Sequence, residues 1–148
     1  MGFLDRLFRN SADSASQSER PVGAECKRTV AVVGEFYRAG ISQFLREIER
    51  QETPAVLIPE PTNRHDRNAI KVVLGGKHVG YLSRKHATEY YPAILLAQDH
   101  GEVLTVRAYG YTYGSGEHQG QEVVMYLPTM KALMGELQAV YATDASPA

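Results

Sequence analysis

Residues Pro59 to Arg84 read PEPTNRHDRNAIKVVLGGKHVGYLSR, and this stretch decides the fold. Ala69 to Leu74 and Lys77 to Leu82 are β-branched, half-apolar runs on either side of Gly75-Gly76. A two-glycine link supplies the positive φ values of a tight hairpin turn, so the runs are predicted to pair as antiparallel strands. Strict alternation places Ile70, Val72 and Leu74 on one face of the first strand and Lys71 and Val73 on the other. In the second strand it groups Lys77, Val79 and Tyr81 opposite His78, Gly80 and Leu82. Ahead of the hairpin, Pro59 and Pro61 bracket a non-helical segment, and Thr62, Asn63, Asp66 and Asn68 are side chains that bond nearby backbone in turns.

Upstream, Ala55 to Ile58 reads as a strand. Ile41, Phe44, Leu45 and Ile48 recur at helical spacing between Gly40 and Pro54. Thr29 to Val33 is a further β-branched run, with Gly34 as a bulge. The Ser, Ala, Asp, Gln and Glu content from Arg9 to Arg28 predicts a disordered tether. Ahead of it, Phe3, Leu4, Leu7 and Phe8 form a short amphipathic segment, read either as a frayed helix or as a docking segment for a protein partner.

Downstream, Ser83 is placed to cap a helix from Arg84 to Tyr91, with a break expected at Tyr91-Pro92 and a second helix ending before Gly101. Glu102 to Tyr113 and Gln121 to Leu127 read as strands, and Met130, Leu133, Met134, Leu137 and Tyr141 as a last helical stripe before a frayed tail. The pattern predicts an α+β fold: a small, mostly antiparallel sheet or barrel of six strands with two to three helices. The expected organisation is 1–28 as amphipathic segment and tether, 29–128 as the domain, and 129–148 as helix and tail.

The chain has 148 residues, 43% of them hydrophobic and 22% charged, with a net charge of −1, which suits one globular domain. Its single cysteine, Cys26, excludes an internal disulfide framework, and no apolar run is long enough to span a bilayer. A cytoplasmic location is the expectation. The charge is clustered: Arg64, Arg67, Lys71, Lys77, Arg84 and Lys85 surround the lone acid Asp66. Clustered cations beside Tyr37, His65 and Tyr81 suit a phosphate backbone with stacked bases. The plain alternative is a solvated charged face, with Asp66 a turn-former.

Catalytic signatures fail. Gly75-Gly76-Lys77-His78 lies between strands rather than before a helix, and Gly114-Ser115-Gly116 lacks the nucleophile-elbow pattern. The five histidines show no metal-ligand pairing, and His65-Asp66 has no accompanying nucleophile. No enzyme activity, cofactor or metal is expected.

Two patterns, Asn63-Arg64-His65-Asp66-Arg67-Asn68-Ala69-Ile70-Lys71-Val72 and Val79-Gly80-Tyr81-Leu82-Ser83-Arg84, resemble the HIRAN domain family. The likeness begins near Thr29, takes in Val33-Gly34-Glu35-Phe36-Tyr37 and runs to about Pro128. The resemblance implies a closed, OB-like barrel and a non-catalytic module that holds the free 3′ end of single-stranded DNA, in repair or replication-fork processing. It assigns Tyr37 to stacking on a terminal base, Asp66 to the 3′-hydroxyl and Arg84 to phosphate. His65 and Tyr81 fall at aromatic positions of the pocket, and Lys71, Arg67 and Lys85 are the remaining candidate DNA contacts. His65 stands where tyrosine is common in the family and Phe36 where arginine can stand. These two departures favour the alternative expectation, a protein-interaction or scaffold module that has lost DNA binding.

Overall fold

The structure, a computed structural model, describes residues 17–33, 40–114, 117 and 120–144. The Phe3–Phe8 segment, Gly34 and the residues beyond 144 lie outside the described residues. Among the described residues seven strands form: β1 (Ser18–Pro21), β2 (Arg28–Ala31), β3 (Thr53–Pro59), β4 (Ile70–Leu74), β5 (Lys77–Tyr81), β6 (Glu102–Tyr113) and β7 (Gly120–Leu127). Three helices join them: α1 (Ile41–Glu47), α2 (Arg84–Asp99) and α3 (Met130–Asp144).

The predicted hairpin forms as expected. Gly75 and Gly76 have φ of 56° and 82°, and Leu74 pairs with Lys77 across them. Glycine takes both positive φ values without a steric penalty. A Cβ on Gly75 would also stand 2.7 Å from Cζ of Phe44. From the hairpin the sheet runs β5-β4-β3-β6-β7-β2, antiparallel throughout, while β1 pairs in parallel with the first residues of β6. The sheet curls, so its two end strands approach each other. Beyond β2, Val33 and Tyr81 exchange backbone N–H···O bonds of 2.8 and 2.7 Å in an isolated bridge.

One face of the curl is apolar. Ala55, Leu57, Ile70, Val72, Leu74, Leu104, Val106 and Met125 point inward to meet Leu45 of α1, Tyr90 and Ile94 of α2, and Leu133 and Leu137 of α3. Each fully buried leucine here contributes about 2 kcal/mol of transfer free energy. The opposite face carries Lys71, His78 and Tyr81, so the sheet presents its functional candidates away from the helices. Among the described residues no helix is long and apolar enough to cross a membrane.

Three expectations need correction. Ser18–Pro21 is a strand rather than tether: its backbone pairs with β6, and Arg20 bonds the Glu102 carboxylate, which also accepts from the Tyr141 hydroxyl at 2.7 Å. Composition cannot reveal such a partner, because the pairing groups are backbone amides and one long-range cation. The break at Tyr91-Pro92 does not occur; α2 continues through Pro92. Tyr90, Ala93, Ile94 and Ala97 are buried on either side of it, while Pro92 and the preceding turn's Thr88 face solvent. Water therefore reaches the carbonyl that loses its donor, and tertiary packing outweighs the cost of the proline. Finally, the β4–β5 register shifts between Val72 and Val73, leaving Val79 as an extra residue in β5. This bulge reverses the alternation, so His78 and Tyr81, expected on opposite faces, sit with ring centroids 4.9 Å apart.

Gly80 has φ of 158°, and a Cβ there would lie 2.5 Å from the Val33 carbonyl oxygen. Gly80→Ala should therefore lower stability by about 2 kcal/mol or more, read as the urea midpoint. Glu102 gives a second test. Burial raises its pKa, but the hydrogen bonds from Arg20 and Tyr141 and the Arg20 charge outweigh this, and the net shift is downward. A depressed folded pKa contributes stability above the unfolded value and loses it as pH falls through the folded one. The urea midpoint should hold down to about pH 4.5 and fall below it. Glu102→Gln should be less stable at neutral pH, with a shallower acid limb.

Candidate nucleic-acid interface

The segment between β3 and β4 is built from side-chain hydrogen bonds to its own backbone. The Asn63 Oδ1 accepts from the backbone N–H groups of His65 and Asp66, at 2.8 and 3.1 Å. The Asp66 Oδ1 accepts from the Asn68 N–H at 2.9 Å, and Ala69 N–H returns to the Asp66 carbonyl at 3.1 Å. Asp66 is thus a turn-former, as its residue type allows. Its second oxygen, Oδ2, faces outward, 3.9 Å from the Arg84 Nε.

Arg84 reaches this turn because Ser83 fixes the start of α2, its hydroxyl accepting the His86 N–H at 3.2 Å. The Arg84 Nη2 donates to the His65 carbonyl at 2.9 Å. The Arg84 side chain is nonetheless 75% exposed, against 21% for Asp66. An ion pair of this length and exposure contributes about 0–1 kcal/mol. The guanidinium can therefore exchange Asp66 for a phosphate oxygen at small cost.

Tyr81 joins the same group from the sheet. Its hydroxyl donates to the Glu60 Oε1 at 3.1 Å, and that oxygen also accepts from the Asn63 Nδ2 at 2.8 Å. Lys71 is the cross-strand partner of Tyr81 and shares its outward face. The His78 ring packs edge-on against Tyr81, its Nε2 3.0 Å from the Gly80 carbonyl oxygen.

Of the predicted site residues, His65, Asp66 and Arg84 meet directly, and Tyr81 and Lys71 stand beside them on the sheet. Arg67 is exposed in the turn, and its carbonyl accepts from the Tyr91 hydroxyl at 3.4 Å. Lys85 is exposed in the first turn of α2, where its charge acts on Glu89. Tyr37 lies outside the described residues, as does Phe36. Sequence reasoning missed Glu60 and Tyr91. The Pro-Glu-Pro setting marked Glu60, and Tyr91 lies two helical turns after Arg84 on the same face.

A second aromatic group stands on the outward face of the β6–β7 hairpin. The rings of Tyr109 and Tyr126 meet edge-on at 5.5 Å, the Arg107 guanidinium lies 5.4 Å over Tyr126, and Glu52 accepts from the Tyr109 hydroxyl. Nearby, Tyr113 is 56% exposed. Among the described residues no cluster of His, Cys, Asp or Glu is placed to hold a metal ion.

A family model described as the HIRAN domain matches residues 29–137. Among solved structures, the crystal structure of the HIRAN domain of human HLTF is similar to this chain at 20% identity, with a TM-score of 0.40. That similarity covers 76% of this chain and 86% of the other. No curated protein matches.

If Asn63 organises the turn, Asn63→Ala removes the acceptor of two amides at once. Hydrogen exchange at His65 and Asp66 should accelerate by more than the roughly fivefold increase that a global loss of about 1 kcal/mol brings to β6.

Proposed function

The chain belongs to the HIRAN domain family, and from that premise we propose that it binds single-stranded DNA without catalysing a reaction. The observation that carries this reading is the juxtaposition of the Asp66 carboxylate and the exposed Arg84 guanidinium, 3.9 Å apart, beside Tyr81 and Lys71. Phosphates are held by Arg84 and Lys71, with Arg67 and Lys85 adding to the local positive field. His65 and Tyr81 offer rings to unstacked bases, and Tyr37 is the third ring that the family pattern assigns to this role.

End recognition follows from the acid. A terminal 3′-hydroxyl donates to the Asp66 Oδ2, whereas a continuing phosphate would bring a second negative charge against it. The module accordingly favours free 3′ ends. Work on such ends belongs to repair and replication-fork processing, in the cytoplasm, with the chemistry carried out by partner enzymes. The Val33–Tyr81 bridge supports closure of the curled sheet into an OB-like barrel, with Tyr81 at the seam.

The Tyr109–Tyr126–Arg107 face favours a second reading, a protein-interaction module. Tyrosine and arginine are enriched at binding hot spots, and the carboxylates of Glu52 and Glu122 nearby suit mixed-charge contacts better than a phosphate backbone.

A fluorescence-anisotropy titration separates the two. A short single strand should bind with log K falling linearly in log salt. Arg84→Ala should weaken it about fivefold to tenfold, and a 3′-phosphate should weaken it in the parent chain but not in Asp66→Ala. Absence of salt-sensitive binding at micromolar protein removes the DNA reading and leaves the interaction reading.

A further inference from the structure

Glu60 is half-buried at the end of β3, between Pro59 and Pro61. Its backbone is fixed by the sheet, since its N–H donates to the Ala69 carbonyl at 2.9 Å. Its side chain then does two things through one atom. The Oε1 accepts from the Tyr81 hydroxyl at 3.1 Å and from the Asn63 Nδ2 at 2.8 Å. Asn63 in turn uses its Oδ1 to hold the amides of His65 and Asp66. A short chain of contacts therefore runs from Glu60 through Asn63 to the acid of the pocket, and a second runs directly to its aromatic ring.

We propose that Glu60 is the positioning residue of this pocket, setting Asp66 and Tyr81 relative to each other through its Oε1. The inference rests on the reading of the pocket as a site for a strand end. It makes an atom-level distinction. Two hydrogen bonds converge on one oxygen, and an amide oxygen has the two lone pairs needed to accept both. Glutamine at this position therefore preserves the arrangement, whereas alanine abolishes it. The negative charge of Glu60 is dispensable to positioning; its acceptor oxygen is not.

The test uses Glu60→Gln and Glu60→Ala in the full chain, with two readouts. The first is the ratio of affinities for a single-stranded oligonucleotide ending in 3′-hydroxyl and the same strand ending in 3′-phosphate. Glu60→Gln should keep the parent ratio, and Glu60→Ala should lower it about fivefold. In an Asp66→Ala background, Glu60→Ala should change the ratio no further, because Glu60 acts through Asp66. The second readout needs no ligand. The amide resonances of His65 and Asp66 and the ring resonances of Tyr81 should move in Glu60→Ala and stay in place in Glu60→Gln.

A merely structural role would lower the melting temperature of Glu60→Ala without altering the ratio, and that result overturns the proposal. Equal losses in the glutamine and alanine variants, or unmoved resonances in Glu60→Ala, overturn it as well. Should the parent chain bind no oligonucleotide, or bind both ends equally, the proposed function falls, and the resonances alone decide whether Glu60 positions the pocket.

Discussion

Two backbone hydrogen bonds between Val33 and Tyr81 tie the segment beyond β2 to the end of β5. The sheet order runs from β2 to β5, and this isolated bridge is where the curl brings the chain just past one end strand up to the other. That approach is possible because residue 80 is glycine, with no side chain between the Val33 carbonyl and the passing strand. The same contact fixes the backbone of Tyr81, whose hydroxyl shares the Glu60 Oε1 with Asn63 of the β3–β4 turn. The curl of the sheet and the placing of Tyr81 beside that turn are thus one constraint.

The site itself mixes two kinds of interaction with different stiffness. The turn from Asn63 to Asn68 is held by three bonds from side chains to backbone, two of them partly shielded from water, and these give the acid a defined place. The contact between Asp66 and Arg84 is long and mostly solvated. The site thus pairs a carboxylate held in place by its turn with a guanidinium that keeps one bond to the His65 carbonyl and is otherwise mostly solvated.

Much of this was legible in the sequence because the signals were local. Gly75-Gly76 specifies a hairpin by backbone sterics alone, Ser83 caps the helix that follows it, and Asn63, Asp66 and Asn68 announce a turn by side chains that reach only two or three residues. The pairing of Asp66 with Arg84 was legible through the family pattern and not through spacing. What escaped depends on contacts distant in the chain. β1 exists because of β6 and Glu102, far downstream. Pro92 is tolerated because its helix is buried on both sides of it. The placement of His78 beside Tyr81 turns on a one-residue bulge at Val79, which reverses the faces beyond it and whose sole local sign in the run Lys77 to Leu82 is Gly80.

β1 also lies ahead of the span that the family model matches, 29–137. A fragment cut to that span would keep β6 while stripping four residues of backbone pairing from its edge. It would also leave the Glu102 carboxylate without both of its partners, the Arg20 guanidinium before the span and the Tyr141 hydroxyl after it. An uncovered strand edge recruits whatever strand is nearest, including one from another copy of the same fragment. Domain boundaries drawn from family likeness would in this chain expose such an edge, and the boundary that respects its hydrogen bonds begins before Ser18.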